Sequence, residues 1–120
     1  MKRKTRTLTV NGRRFVWRYE IGRETVLRFT PESDRTACAE AVFAGNACPE
    51  SDWRYPAAVE LERDGIRMTV KTCSPKMAAL LLSELPDAAF VPRHTERFDA
   101  YALLRDMRYT VGTVTEGLFW

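Results

Sequence analysis

Hydrophobic and polar positions alternate most regularly near the start of the chain. Leu8 and Val10 alternate with threonines, Asn11-Gly12 interrupts, and Phe15, Trp17 and Tyr19 then alternate with Arg14, Val16 and Arg18. Period two marks a half-buried strand. Asn-Gly between two such runs marks a type I′ hairpin, because that turn needs positive φ at both central residues. A two-residue turn pairs Val10 with Arg13, Leu8 with Phe15 and Arg6 with Trp17. The pleat then puts Leu8, Val10, Phe15, Trp17 and Tyr19 on one face, and Thr7, Thr9, Arg14, Val16 and Arg18 on the other.

The same pattern recurs around Asp64-Gly65. Val59 and Leu61 alternate with Glu60 and Glu62 before the turn, and Ile66, Met68 and Val70 alternate with Arg67, Thr69 and Lys71 after it. This register sets Leu61 opposite Met68, Val59 opposite Val70, and Glu62 opposite Arg67 as a favourable cross-strand pair on the wet side. Between the hairpins, Val26, Leu27 and Phe29 predict a third strand ended by Pro31. Ser33 or Asp34 can cap a short helix through Ala44, with Ala37, Cys38, Ala41 and Val42 as its apolar stripe and Gly45 as its stop. Gly45 to Pro56 reads as a loop.

Ser74-Pro75 has the form of a helix start, serine at the N-cap and proline at the first helical position. Met77, Leu80, Leu81, Leu82 and Leu85 make its apolar face, and Pro86 stops it. A short strand is expected at Ala89-Phe90-Val91, a helix capped by Thr95 and ending near Met107, and a last strand over residues 109–115. Together these predict a single α+β domain over residues 1–120. Its core is a mainly antiparallel sheet, two β-hairpins plus further strands, packed against two or three short helices.

A chain of 120 residues with 45% hydrophobic and 29% charged side chains is large enough to bury a core without metal or disulfide. No run approaches the ~20 apolar residues of a membrane span, so no membrane association is expected. The basic start, residues 1–6, is followed by a strand-like segment rather than the apolar stretch of a signal peptide. Three cysteines, Cys38, Cys48 and Cys73, form no disulfide framework. A cytoplasmic protein is therefore expected, with a Cys38–Cys48 bridge as the alternative.

Charge changes this picture in one respect. Residues 1–35 hold ten basic and four acidic side chains, net +6; the whole chain is +3, so the remainder is −3. Lys4, Arg6, Arg13, Arg14 and Arg18 are the candidate contacts for a nucleic-acid backbone, weak and salt-sensitive. Phe15, Trp17 and Tyr19 share the Leu8 face, so they read as core rather than as bases' stacking partners. Trp53 and Tyr55, with Phe119 and Trp120 at the other end, are residue types that anchor protein interfaces, and they point to a protein partner or a second copy of this chain.

Enzymatic chemistry has one constellation to offer. Cys73 stands just before the Ser74-Pro75 helix start, where the helix N-terminus favours a thiolate, and His94 is the sole histidine. The pair would suit a thiol hydrolase or transferase, but no local signature accompanies it; a half-buried thiol and a surface histidine account for both. Cys38, Cys48, Cys73 and His94 lack the close ligand pairs of zinc sites. The scattered glycines build no phosphate loop, so no cofactor is expected. The overall expectation is a small non-enzymatic binding or accessory domain acting through protein contacts or self-association, with a weak nucleic-acid contact at its basic third.

Overall fold

The structure, a computed structural model, describes residues 6–21, 24–44 and 58–114. The first hairpin forms in the expected register: β1 (Arg6–Val10) pairs with β2 (Arg13–Ile21), setting Val10 opposite Arg13, Leu8 opposite Phe15 and Arg6 opposite Trp17. Asn11 and Gly12 both have positive φ, 53° and 77°, as a type I′ turn requires. β3 (Thr25–Pro31) continues the sheet antiparallel to β2 and ends on Pro31. Phe15 and Trp17 are buried, whereas Tyr19, expected on the core face, is 36% exposed near the far end of its strand.

The helix expected from Ser33 or Asp34 to Ala44 is instead a strand, β4 (Cys38–Phe43), antiparallel to β3. Ala39, Ala41 and Phe43 face the core at zero exposure, while Cys38, Glu40 and Val42 line the other face. Alanines favour helix locally, and a strand covered on both faces loses the clean alternation that would identify it. Pairing with neighbours on both sides outweighs the propensity.

The second hairpin joins β5 (Ala58–Arg63) to β6 (Ile66–Lys71) through Asp64 and Gly65, with φ of 55° and 79°. Leu61 faces Met68, Val59 faces Val70, and Arg67 Nε lies 3.2 Å from Glu62 Oε1, all as expected. Leu61, Val59 and Val70 are buried; Met68 is half-buried, and Ile66 at the hairpin tip is exposed. Helix α1 (Pro75–Glu84) follows, with Ser74 Oγ accepting from Met77 N at 3.1 Å and Pro75 in the first turn.

The segment after α1 departs from expectation twice. Residues Asp87–Ala89 form a 3₁₀ turn, not a strand at Ala89–Val91, and it delivers Phe90 onto Phe15 with ring centroids 5.1 Å apart. Thr95 caps no helix: it opens β7 (Thr95–Asp99), which lies parallel to β4. The helix comes later and is shorter, α2 (Ala100–Asp106), capped by Asp99 Oδ1 accepting from Tyr101 N and Ala102 N. A parallel edge strand is created by long-range pairing, so its residues need carry no local strand signal. β8 (Thr110–Val114) closes the order, antiparallel to β5.

The result is an α+β architecture with a five-stranded sheet, β1-β2-β3-β4-β7, and a three-stranded sheet, β6-β5-β8. The helices join them: α1 touches β1 and β6, and α2 touches β4, β7 and β8. One hydrophobic cluster, including Trp17, Phe29, Leu61, Leu81 and Leu104, runs through both sheets and both helices. No helix among the described residues is long and apolar enough to cross a membrane.

Candidate functional site: a basic groove on the five-stranded sheet

The face of the large sheet opposite the Phe15–Trp17 core is organised in rows, because paired residues share a face. One row carries Val16 on β2 and Thr30 on β3, with Cys38 on β4 and Thr95 on β7 paired beside them. The next row runs Arg18, Arg28, Glu40, Arg97 across the same four strands. A groove of about 430 Å³ follows the first row, with Val16, Thr30, Cys38 and Thr95 along it and Arg18 and Arg28 beside it. Arg35 and Thr36, from the β3–β4 loop, line it as well.

That loop is held by a small clasp. Asp34 Oδ1 accepts from Thr36 N at 3.0 Å and from Thr36 Oγ1 at 2.6 Å, and Thr36 Oγ1 in turn accepts from Arg93 N at 3.0 Å. The hydroxyl and amide of Thr36 hold the Asp34 carboxyl below the usual carboxylate range. The clasp fixes the backbone on either side of Arg35.

The arginines differ in what they already hold. Arg28 Nε lies 2.7 Å from Glu40 Oε2, with Glu20 at 3.9 Å from its Nη1. The Nε contact is one of charge, since its N–H is not directed at the carboxylate and makes no hydrogen bond. Arg97 binds Glu40 at 3.2 Å and Glu24 at 3.3 Å. Glu40 is thus shared between two arginines and is itself buried, at 8% exposure. The guanidiniums of Arg18 and Arg35 and the hydroxyls of Thr30 and Thr95 have no hydrogen-bond or ion-pair partner among the described residues. No carboxylate lines this groove among the described residues.

A second cleft, of about 570 Å³, lies on the other side of the same loop, with Arg13 and Arg14 against Glu32, Asp34 and Asp87, and Phe15 and Phe90 contributing rings. Arg13 is paired with Asp87, and Arg14 Nε lies 3.6 Å from Glu32 Oε2. Comparison with protein-family models, with curated proteins and with solved structures finds no match to this chain.

The residues singled out from sequence separate as follows. Arg14 and Arg18 are on the outer face, where the pleat put them, but they belong to different clefts. Arg6 and Arg13 are on the core side at the rim, their guanidiniums 5.7 Å and 5.1 Å from the Trp17 and Phe15 rings. Lys4, Cys48, Trp53, Tyr55, Phe119 and Trp120 lie outside the described residues, as does the loop from Gly45 to Pro56. Cys73 is buried in the turn before α1. His94 is exposed ahead of β7, its Nε2 3.0 Å from Glu96 Oε1. Neither Cys73 nor His94 lines either cleft. Among the described residues no cluster of three or more His, Cys, Asp or Glu side chains is placed to hold a metal.

Sequence reasoning missed Arg28 and Arg35 as site residues. Arg28 alternates with Leu27 and Phe29, so the pleat rule applied to β3 would have put it on the outer face beside Arg18. Arg35 carries no such signal, because its position depends on the folded loop.

Proposed function

We propose that this chain is a non-catalytic binding domain that engages an anionic partner on the outer face of its five-stranded sheet. One observation carries the reading: among the described residues the groove has three arginines and no carboxylate, and two of those arginines are unpaired. Like charges opposed across a ladder are unfavourable. Arg18 faces Arg28 directly, and an incoming anion would relieve that repulsion while meeting donors already in place. The odd cysteine count and the Cys38 thiol suit a reducing compartment, and we place the protein in the cytoplasm.

A thiol enzyme built on Cys73 and His94 is disfavoured by the burial of one and the Glu96 contact of the other, and neither residue lines either of the two clefts described above. The aromatic segments at Trp53-Tyr55 and Phe119-Trp120, on which self-association would rest, lie outside the described residues. The test is a titration of labelled polyanions, nucleic acid and polyglutamate, against the wild-type protein and an Arg18→Ala/Arg35→Ala double variant. Binding at low salt that weakens as salt rises, and that the double variant loses, is the expected result. If no polyanion binds even at low salt, the reading is wrong.

A further inference from the structure

We infer that the anionic group taken by this groove is a phosphate, and that the partner is a single-stranded nucleic acid held by its backbone without reading of its bases. The inference rests on the anionic-partner reading and narrows it.

The groups without a partner among the described residues are all hydrogen-bond donors of the right kind: two guanidiniums, Arg18 and Arg35, and two hydroxyls, Thr30 and Thr95. A guanidinium offers a fork of N–H donors that matches phosphate oxygens, and hydroxyls add single donors from other directions. Donors arriving from the Arg18 side, from the loop and from the groove itself suit a tetrahedral group with several acceptor oxygens better than a planar carboxylate. Thr36, the remaining hydroxyl, is already engaged with Asp34 and Arg93 and serves to position Arg35.

Among the described residues the groove offers bases no exposed ring. Stacking needs an exposed aromatic face; on the core side of β2, Phe15 and Trp17 are each 1% exposed, and Tyr19, 36% exposed, does not line the groove. No aromatic ring of the described residues other than that of buried Trp17 belongs to a residue lining the groove. A backbone contact by cations and hydroxyls fixes register along a strand without sequence information. The groove lies between the arginine row and the loop, and a flexible single strand can follow it from Arg18 to Arg35 past Thr30 and Thr95 more readily than a stiff duplex.

The test uses four labelled probes at equal charge: a mixed-sequence single strand, an abasic strand with the same sugar-phosphate chain, a duplex, and polyglutamate. Wild type is expected to bind the first two equally and the last two more weakly. Arg18→Ala and Arg35→Ala are each expected to weaken single-strand binding by about tenfold, and to lower the salt slope by about 0.7 for each phosphate no longer neutralised. Thr30→Val and Thr95→Val should weaken the strand but leave polyglutamate unchanged, and Arg105→Ala on α2 should alter neither. Thermal melts of every variant separate loss of the groove from loss of the fold. Equal affinity for polyglutamate and the strand, with no effect of the threonine changes, would overturn the phosphate inference and leave the anionic reading standing. A strong preference for the base-bearing strand over the abasic one would overturn it as well. Failure of all four probes would remove the underlying reading instead.

Discussion

Two clefts share one loop of this sheet and have opposite electrostatic character. On one side of residues 31–37, Arg13 and Arg14 sit among Glu32, Asp34 and Asp87, and each has a carboxylate of its own. On the other, Arg18 and Arg35 have none among the described residues, and Arg28 shares Glu40 with Arg97. The first cleft is the larger and holds almost as many arginines. The difference teaches that counting cations is a poor guide to binding. A guanidinium already paired with a neighbouring carboxylate must break that contact before it can hold a ligand, so the smaller groove is the better candidate.

The most damaging test of the comparison strikes what lies beneath both clefts. Phe15 contributes to one and Trp17 to the other, and both are 1% exposed on β2. Trp17→Ala is expected to cost about 3–5 kcal/mol, measured by urea unfolding. It should also abolish anion binding as the groove loses its support. A destabilisation under about 1 kcal/mol would mean that Trp17 is not core and that the outer and inner faces have been exchanged.

Glu40 sharpens the contrast, because its removal should move stability and affinity in opposite directions. Its carboxylate is buried between Arg28 and Arg97. Breaking a buried pair costs about 3–5 kcal/mol, but Arg97 is more than half exposed and solvent screens its share, so Glu40→Gln should cost about 2 kcal/mol. Arg28 would then be released toward the groove and single-strand affinity should rise severalfold. Paired measurements by denaturant unfolding and oligonucleotide titration check this. A fall in both would assign Glu40 a purely structural part.

How far the sequence could be read depends on whether the deciding interactions are local. The hairpins were legible because Asn11-Gly12 and Asp64-Gly65 allow positive φ and the alternation on either side fixes the register. Helix α1 was legible because Ser74 and Pro75 satisfy their own first turn. β4 and β7 were not, since β4 is a strand by virtue of pairing with β3 and β7, and β7 by virtue of pairing with β4. Ala39 and Ala41 suit a helix equally well. The same division runs through the groove. Arg14 and Arg18 could be assigned a face from the pleat of one hairpin. Their separation into different clefts, and the recruitment of Arg35, follow from a loop whose course is set by Thr36, Asp34 and Arg93.

A charge reversal on each side makes the comparison a double dissociation. Arg13→Glu sets a carboxylate beside Asp87 and should cost about 1 kcal/mol by thermal unfolding, while changing strand affinity less than about twofold. Arg35→Glu breaks no ion pair among the described residues and should leave stability within about 0.5 kcal/mol, while reducing strand affinity by more than the alanine variant does. Equal effects of the two reversals on binding would mean that the strand responds to overall charge and not to the groove.

The smallest effect concerns the clasp that lies between the clefts. Asp34 is a lining residue of the first cleft, and through Thr36 it shapes the second. Hydrogen bonds from the Thr36 hydroxyl and amide lower its pKa from the ordinary carboxyl value. A carboxyl whose folded pKa is depressed contributes order above its unfolded pKa, and that contribution disappears as the pH falls through the folded value. The Asp34–Thr36 contacts should therefore persist through the neutral and mildly acidic range and fail only below the pH at which an exposed aspartate protonates. Because Asp34 is open to solvent, the change should be confined to the loop and leave the global melting temperature nearly unmoved. The Thr36 amide resonance followed through an acid titration reports it directly, with Asp34→Asn as the variant that removes the inflection. The same variant tests the coupling between clefts: with the clasp weakened, Arg35 is less well placed and strand affinity at neutral pH should fall by about two- to threefold, less than the loss for Arg35→Ala. An inflection at or above the ordinary aspartate pKa, or unchanged affinity in Asp34→Asn, would mean that the loop is placed by its β3 and β4 anchors alone and that the clasp contributes nothing to the groove.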